Sequence, residues 1–217
     1  MYQALLFDLD GTLAETDSLH LPTWVDVLEP YGVGVDEDFY KESISGRNTN
    51  EIIRTLLPAI TDEENRSIGE AKEASFRERA AELEPLSGLV DFVELGRERG
   101  MWIALVTNAP EENVEAILLA LELRDFFDVV VLADEVEAVK PHPAPYRAAL
   151  KKTGVPPEEA LAFEDSVSGI TSSVAAGIPT VGITSSQTPE TLLEAGAFVT
   201  AEDFTDPHLL ALIDAQT

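Results

Sequence analysis

Two aspartates with one residue between them, Asp8 and Asp10, follow a short apolar run near the start of the chain. The run from Ala4 to Phe7 is typical of a buried strand. Aspartate is depleted in strands, so a buried strand that ends in this pair needs a chemical reason. The chemistry that fits is a nucleophilic carboxylate at Asp8, with Asp10 beside it to carry protons. For this motif taken alone, a strand followed by an Asp-rich turn is the alternative interpretation.

Three further apolar runs also end in polar residues or are soon followed by them. In chain order they are Met101 to Val106 with Thr107 and Asn108, Val129 to Leu132 with Lys140 and Pro141 after a short acidic loop, and Ala160 to Phe163 with Glu164, Asp165 and Ser166. In open parallel α/β sheets, ligands bind at the edge formed by the carboxyl ends of the strands. The pattern therefore predicts that all four motifs meet at one edge of a parallel sheet.

The ordered set Asp-x-Asp-Gly-Thr, Thr-Asn, Lys-Pro and Glu-Asp resembles the signature motifs of the haloacid dehalogenase superfamily of phosphotransferases. Each motif alone is weak, whereas the ordered set is specific. The resemblance implies that Asp8 attacks phosphorus and forms an aspartyl phosphate, and that Asp10 protonates the leaving oxygen and then deprotonates the attacking water. An aspartate at the position of Asp10 is similar to the phosphatases and phosphomutases, and differs from the true dehalogenases and the ion-pumping ATPases.

The same resemblance implies an Mg²⁺ ion held by Asp8, the backbone carbonyl of Asp10, Glu164 and Asp165. Electrostatics supports a cation independently, because two carboxylates 4 Å apart repel each other by roughly 4 kcal/mol at an effective dielectric of 20. Oxygen ligands with a position open to phosphate suit Mg²⁺. The alternative for Glu164, Asp165 and Ser166 is a helix N-terminus, where acidic side chains are favoured in any case.

Thr107 and Asn108 are expected to donate hydrogen bonds to the phosphoryl oxygens from hydroxyl, amide and backbone N–H groups; a plain strand-to-helix turn is the alternative. Lys140 is expected to neutralise the negative charge that develops during transfer, and the alternative is a surface lysine. Pro141 resembles the proline that follows this lysine in the family. It favours an unusual peptide bond of the cis form, which X–Pro bonds alone adopt at low cost.

The motifs belong to a chain with two predicted domains. Residues 1–14 and 84–217 are predicted to form a Rossmann-like catalytic core of the α/β class, a doubly wound parallel sheet, because strands and helices alternate from Leu86 onward. Residues 15–83 contain no convincing strand and are predicted to form an inserted helical cap domain.

The first cap helix is predicted to run from Thr16 or Asp17 to about Tyr31 and to end at Gly32. Apolar residues recur in it at helical spacing, which predicts a buried stripe. The stripe consists of Trp24, Val27, Leu28 and Tyr31.

The cap is also predicted to supply substrate contacts. His20, Arg47 and Lys72 resemble positions that contact the substrate and its distal phosphate in β-phosphoglucomutase and its sugar-phosphate phosphatase relatives, and Gly46 lies in the same Ser-Gly-Arg-Asn loop as Arg47. An arginine in a loop can bind phosphate with two hydrogen bonds. The alternatives are a helix-surface histidine packed beside Trp24 for His20 and a solvated side chain for Lys72.

Composition bounds the kind of protein. The 217 residues, 45% of them apolar, can bury one sizeable core and a smaller subdomain, and without cysteine the chain forms no disulfide or thiolate metal site. The net charge of −27, from 41 acidic and 14 basic residues, makes nucleic acids and anionic membranes poor partners. No apolar run approaches a membrane span and no signal-peptide pattern opens the sequence, so a cytoplasmic protein is expected.

Together these features predict an Mg²⁺-dependent phosphohydrolase that acts on a small phosphorylated metabolite, a sugar phosphate or a phosphoglycolate-like ester. The alternative within the family is a phosphomutase of the β-phosphoglucomutase type, and the Thr107-Asn108 pair, which is commoner in hydrolases, favours hydrolysis. A second class is a non-catalytic family member used as a binding or regulatory module. The intact set of Asp8, Asp10, Lys140, Glu164 and Asp165 argues against that class.

Overall fold

A six-stranded parallel sheet organises the larger part of the molecule. The computed structural model describes residues 1–44 and 47–214. The strands are β1 (Ala4–Phe7), β2 (Trp102–Val106), β3 (Val129–Val131), β4 (Ala160–Glu164), β5 (Thr180–Ile183) and β6 (Val199–Ala201). They lie in the order β3-β2-β1-β4-β5-β6, and every neighbouring pair is parallel.

Ten α-helices accompany the sheet within the described residues. They are α1 (Asp17–Leu28), α2 (Glu37–Ser43), α3 (Thr49–Leu56), α4 (Asp62–Arg79), α5 (Leu89–Glu98), α6 (Glu111–Ala120), α7 (Ala144–Thr153), α8 (Val167–Ala175), α9 (Pro189–Ala195) and α10 (Pro207–Asp214). The chain divides into two compact units, one of Met1–Glu15 with Glu84–Thr217 and one of Thr16–Leu83. We call them the sheet unit and the helical unit. Glu15 was predicted to be the first residue of the cap and lies instead in the sheet unit.

The sheet is buried on both faces, which explains why its strands are continuous apolar runs. Side chains alternate along a strand, so Leu6 and Phe7 point to opposite faces. Leu6 shares an apolar cluster with Tyr146 of α7. Phe7 stacks on Phe163 of β4 at 4.8 Å between ring centroids and meets Phe92 of α5 edge-on at 6.5 Å. Helices therefore cover both faces, and the predicted Rossmann-like doubly wound α/β fold is confirmed.

The order of the strands creates a crevice at one edge of the sheet. The chain runs outward from β1 to β2 and β3, and then returns to the other side of β1 with β4. Such a reversal leaves a crevice at the carboxyl ends of the two central strands, the usual ligand position in this fold. Phe7 pairs with Phe163 in the parallel register, so the residues that follow β1 and those that end β4 lie side by side.

The sixth strand extends the predicted sheet. Val199–Ala201 pairs with β5 at the edge of the sheet, with Val199 and Thr200 only half-buried. Sequence reasoning did not predict it, because three residues without a long apolar run are too short for a period-2 signal.

The helical unit has its own apolar core. Helices α1 to α4 enclose it with the buried side chains of Trp24, Leu28, Tyr40, Ile44, Ile52, Ile53 and Ile68. Two members of the predicted stripe behave differently: Val27 is half-buried and Tyr31 is 46% exposed. The prediction for Tyr31 is wrong because α1 ends at Leu28 and continues as a 3₁₀ turn over Glu29–Tyr31, which changes the spacing from 3.6 to three residues per turn.

None of the helices in the described ranges combines the length and the apolar character that a membrane crossing requires.

Candidate active site

The loop after β1 carries the first two predicted catalytic residues. Asp8 follows the strand directly, and its backbone N–H donates to the carbonyl of Phe163 at 3.0 Å, so β4 holds the start of the loop. Gly11 then turns the chain with a φ of +74°. A Cβ at Gly11 would lie 2.1 Å from Oδ2 of Asp165, so only glycine lets this loop approach that carboxylate.

The end of β4 supplies two more carboxylates. Glu164 is the last residue of the strand and is fully buried, and Asp165 follows it. The carboxylate of Glu164 lies against Gly169 in the first turn of α8, where a Cβ would come within 1.8 Å of Oε2. Ser166 caps α8 by accepting from the N–H of Gly169 at 3.0 Å. The helix start and the carboxylate pair therefore coexist in the same segment.

Three carboxylates meet at the carboxyl edge of the sheet. Asp8, Glu164 and Asp165 are buried, and each places an oxygen within 4.8 Å of the others. The side chain of Asp10 is not part of this trio, although its charge raises the pKa of both Asp8 and Asp165. The ligand predicted from Asp10 is its backbone carbonyl, which remains a prediction.

Lys140 joins two members of this group, Asp8 and Glu164. Its Nζ donates to Oδ1 of Asp8 at 2.6 Å, to Oε1 of Glu164 at 2.6 Å and to the carbonyl of Val106 at 2.7 Å. The residue is only 7% exposed, so the surface-lysine alternative is wrong. The Lys140–Pro141 peptide bond is cis, the form that Pro141 favoured.

The group holds more negative charge than Lys140 can balance. Burial and the charge of Glu164 raise the pKa of Asp8 to about 7. Burial, together with Asp8 and Glu164, raises the pKa of Asp165 well above its usual range. Burial by itself would lower the pKa of Lys140, but the two neighbouring carboxylates raise it above its ordinary value, so the ammonium persists. Three carboxyl groups therefore compete to stay ionised, and the one ammonium contacts two of them, Asp8 and Glu164.

This donor set fits a small divalent cation. All the donors are oxygens, the preference of Mg²⁺. The cation charge would stabilise the ionised forms of Asp8 and Asp165, whose pKa values burial and the neighbouring carboxylates raise. Asp8, Glu164 and Asp165 are the residues that would hold it.

Thr107 keeps part of its predicted role. Its backbone N–H donates to the carbonyl of Val131 at 3.1 Å, so this group serves the sheet, and the predicted contact of Thr107 with a phosphoryl oxygen stays a prediction for its hydroxyl. Its hydroxyl accepts from the N–H of Ala109 at 2.9 Å, and as an acceptor in that bond it can still donate its own hydrogen.

The side chain of Asn108 contacts the backbone of Lys140. Its Oδ1 accepts from the N–H of Lys140 at 3.1 Å, and its Nδ2 donates to the carbonyl of Lys140 at 3.3 Å. The residue therefore fixes the segment that presents Lys140, and direct binding of a phosphoryl oxygen by this amide stays a prediction.

Lys72 is buried in the helical unit. Its Nζ lies 3.1 Å from both carboxylate oxygens of Glu73 and 5.5 Å from the ring centroid of Trp24. The residue is 4% exposed, so the solvated-lysine alternative is wrong. Thr49 donates to the same Glu73 carboxylate at 2.8 Å.

The other predicted cap residues have different surroundings. The ring of His20 stacks on Phe76 at 4.2 Å between centroids. Arg47 is exposed and donates to the carbonyl of Ser43 at 2.9 Å. Gly46 lies outside the described residues.

Three side chains at the site were not predicted. Ser185 and Ser186 follow β5; the hydroxyl of Ser185 donates to the carbonyl of Gly11, and that of Ser186 donates to the carbonyl of Asp165 at 3.0 Å. The rule that pointed to the other strand ends would have found them. Tyr146 donates from its hydroxyl to Oε1 of Glu164 at 2.7 Å, and no pattern in the sequence marks it.

Comparisons with known proteins agree with this geometry. The family model of haloacid dehalogenase-like hydrolases matches residues 5–183. The phosphorylated carbohydrates phosphatase of Thermotoga maritima is 32% identical over 202 residues, which cover 90% of this chain and 92% of that protein. Fructose-1-phosphate phosphatase YqaB of Escherichia coli is 32% identical over 184 residues, covering 84% of this chain and 96% of that protein.

A solved structure has the same fold along nearly the whole chain. The crystal structure of CbbY from Rhodobacter sphaeroides in complex with phosphate superposes with a TM-score of 0.84 at 31% identity, over 95% of this chain and 96% of that one. The match of the family model includes the loop after β1, Lys140 and the end of β4. The chain therefore belongs to the haloacid dehalogenase-like hydrolases and is a phosphatase of that family.

Proposed function

We propose that this protein is an Mg²⁺-dependent phosphohydrolase that acts on a small phosphorylated metabolite, a sugar phosphate or a phosphoglycolate-like ester, through an aspartyl phosphate on Asp8. The observation that carries the proposal is the meeting of Asp8, Lys140, Glu164 and Asp165 at one buried edge of the sheet. A purely structural cluster would not retain three mutually repelling carboxyl groups around one ammonium, because burying unbalanced charge is costly.

In the first step, a carboxylate oxygen of Asp8 attacks phosphorus and the bond from phosphorus to the ester oxygen breaks. Asp10 donates a proton to that leaving oxygen as the bond breaks. Lys140 holds one oxygen of Asp8 and its charge stabilises the negative charge on the transferring group. When bound, the divalent cation supplies further positive charge beside the phosphoryl oxygens and helps to orient them.

In the second step, Asp10 takes a proton from water, and the water oxygen attacks the phosphorus of the aspartyl phosphate. The bond between phosphorus and Asp8 breaks, which releases inorganic phosphate and restores the carboxylate. In this proposal Thr107 donates its hydroxyl hydrogen to a phosphoryl oxygen, and Asn108 positions Lys140 through the two hydrogen bonds to its backbone.

The substrate class is proposed from the helical unit. We propose that His20, Gly46, Arg47 and Lys72 bind the part of the substrate that is not transferred. Glu73 neutralises Lys72, and the pair lies beside the ring of Trp24. A neutralised pair next to an aromatic ring suits sugar hydroxyl groups better than a second phosphate, since hydroxyls both donate and accept hydrogen bonds. The two relatives named for phosphorylated carbohydrates and fructose 1-phosphate support this choice.

Hydrolysis is proposed over the mutase reaction. A mutase must keep water from the aspartyl phosphate, whereas Asp10 can activate water as readily as a sugar hydroxyl. The names of the two relatives, both phosphatases, support hydrolysis.

The test measures phosphate release from a panel of sugar phosphates and short phosphorylated acids, with Mg²⁺ and with excess chelator. We expect release from a sugar monophosphate that needs Mg²⁺ and no bisphosphate primer. A parallel reaction contains β-glucose 1-phosphate with a trace of glucose 1,6-bisphosphate. Formation of glucose 6-phosphate much faster than phosphate release from any member of the panel would favour the mutase, and full activity in chelator would contradict the metal site.

A further inference from the structure

Tyr146 is a buried polar side chain of the sheet unit that the mechanism above does not use. It lies on α7 and is fully buried. Its hydroxyl donates to Oε1 of Glu164 at 2.7 Å, and its ring centroid is 5.3 Å from Nζ of Lys140. The residue therefore contacts both the carboxylate and the ammonium of the buried ion pair.

We propose that Tyr146 is a positioning residue that fixes the carboxylate of Glu164 so that Oε1 stays with Lys140 and Oε2 remains for the divalent cation. This inference rests on the proposed Mg²⁺-dependent function. It assigns to Tyr146 no contact with the substrate.

The two oxygens of Glu164 have unequal surroundings. Oε1 accepts two short hydrogen bonds, from Nζ of Lys140 at 2.6 Å and from the Tyr146 hydroxyl at 2.7 Å. Among the described residues, the hydrogen-bond donor at Oε2 is the Ser166 hydroxyl at 3.4 Å, which is long for a hydrogen bond between two oxygens. Oε2 is thus the oxygen with coordination capacity to spare.

The carboxylate is also confined on a further side. Gly169 leaves room for it, since a Cβ there would lie 1.8 Å from Oε2 and 2.2 Å from Oε1. Because Lys140 and Tyr146 both donate to Oε1, turning the carboxylate out of this orientation must break two hydrogen bonds at once. Lys140 supplies only one of the two, since its other donors bind Asp8 and the carbonyl of Val106.

Partners that orient a metal-binding carboxylate usually affect metal affinity more than folding. Removing such a partner typically weakens metal binding by about 10- to 100-fold. A tyrosine that only filled the core would instead tolerate replacement by phenylalanine, which keeps the ring and its packing against the sheet. The two roles therefore predict different results for one substitution.

The test is Tyr146→Phe, with Mg²⁺ binding to the purified, metal-free protein measured by titration calorimetry in the absence of substrate. We expect binding weaker by about 10- to 100-fold than in the wild type. We also expect lost activity to return as Mg²⁺ is raised, with kcat at saturating Mg²⁺ recovering and the Mg²⁺ concentration for half-activity shifted upward.

The matched control is Tyr40→Phe in the helical unit. Tyr40 is also buried, and its hydroxyl donates to a carboxylate, Oδ1 of Asp17, at 2.6 Å. This variant loses a similar hydrogen bond and should keep the wild-type affinity for Mg²⁺. Equal affinities of the wild type, Tyr40→Phe and Tyr146→Phe would overturn the inference while leaving the proposed function intact. No Mg²⁺ binding by the wild type would overturn both.

A second measurement does not depend on the folding of a variant at Tyr146. The wild-type protein is labelled with 3-fluorotyrosine, and its four tyrosine signals are assigned by replacing Tyr2, Tyr31 and Tyr40 one at a time. In ¹⁹F NMR, Mg²⁺ should move the remaining signal, that of Tyr146, because a cation on Glu164 weakens the carboxylate as an acceptor. A Tyr146 signal that stays in place at saturating Mg²⁺ would overturn the inference.

Discussion

The sheet unit and the helical unit each bury a lysine, but they pair it in different ways. Lys140 is held by Asp8 and Glu164, which are 132 and 24 residues away in the sequence. Asp8 follows β1 and Glu164 ends β4, the neighbouring strand. Lys72 is paired with Glu73, its own neighbour on α4. The first pair exists only when the sheet is assembled, whereas the second is local to one helix.

This difference suggests separate tasks: the sheet unit carries out phosphoryl transfer, and the helical unit selects the substrate. A change at the site in the sheet unit alters several coupled carboxylates at once, so its effect should be the same for every substrate. A change at the helical unit leaves those carboxylates as they are, so its effect should depend on the part of the substrate that is not transferred. The activity of each variant is therefore compared on two substrates, a sugar phosphate and a plain aryl phosphate, which lacks the sugar.

The largest effect is expected for Asp8→Asn. Turnover of both substrates should fall by about 10⁴-fold or more, because the substitution removes the attacking charge. Steady-state phosphate release provides the measurement. The fold should persist, since Lys140 keeps its bonds to Glu164 and Val106.

Asp26→Asn is the matched control for this variant. Asp26 makes the same type of contact on the surface of the helical unit, a 2.5 Å pair with Arg79. The Asp26→Asn variant should retain wild-type activity on both substrates. Turnover of Asp8→Asn close to that of the wild type would exclude Asp8 as the nucleophile.

The next effect is expected for Asp10→Asn. Loss of the general acid and base should cost about 10²- to 10⁴-fold in kcat on both substrates. Because Asp8 can still attack a substrate with a good leaving group, aryl phosphate should leave a phosphorylated enzyme that mass spectrometry of the intact protein detects. A loss confined to the sugar phosphate would place Asp10 among the selecting residues instead.

A smaller effect is expected from pH. Asp8, with its pKa raised to about 7, carries a proton below that pH in the metal-free protein, and Mg²⁺ must displace it. Mg²⁺ binding should therefore weaken as the pH falls through 7, by about tenfold for each pH unit and each proton displaced. Calorimetry in two buffers of different ionisation enthalpy should show proton release.

The same pKa shift has a consequence for stability. An unfolded aspartate ionises near pH 4, so the folded metal-free protein binds the extra proton between about pH 4 and 7. The contribution of Asp8 to stability is therefore largest at the acidic end of this range and is lost as the pH rises toward 7. In thermal melts of the metal-free protein, the melting temperature should fall as the pH rises toward 7. Both added Mg²⁺ and the substitution Asp8→Asn should make this fall smaller. A melting temperature that rises from pH 5 to 7.5 would contradict the assignment.

The smallest effect is expected for Arg47→Ala. Loss of one charge-assisted hydrogen bond to the substrate should raise KM for a sugar phosphate by about tenfold or somewhat more, and leave KM for the aryl phosphate unchanged. Arg54→Ala is the control, since Arg54 is an exposed arginine of the same unit paired with Asp62 at 2.9 Å. Equal effects of Arg47→Ala on both substrates would contradict the proposal that the helical unit selects the substrate while the sheet unit carries out phosphoryl transfer.

Much of the catalytic site was predictable because its residues follow strands. An apolar run signals a buried strand, and the carboxyl ends of parallel strands meet at one edge, so Asp8, Thr107, Lys140, Glu164 and Asp165 were expected together. The same rule was not applied beyond β4, and Ser185 and Ser186 were missed although they follow β5.

Other features could not be read from local patterns. The first cap helix looked continuous to Tyr31, yet it tightens into a 3₁₀ turn after Leu28 and exposes that tyrosine. Lys72 looked like part of a charged, solvated helix because its sequence neighbours are polar. Its burial beside Trp24 comes from the packing of α1 against α4, and periodicity within α4 alone carries no information about that contact.

The sequence by itself determined the positions of β1 to β4, the types of residue that follow them and, through the order of these residues, the family. Those properties depend on the identities of nearby residues and on their spacing. The tertiary structure decided which atoms form hydrogen bonds and ion pairs. The side chain of Asn108 bonds the backbone of Lys140, and the hydroxyl of Tyr146 bonds Glu164. Glu73 forms an ion pair with Lys72. Pairings of this kind depend on side-chain directions and, where they join separate elements, on the packing of the folded chain.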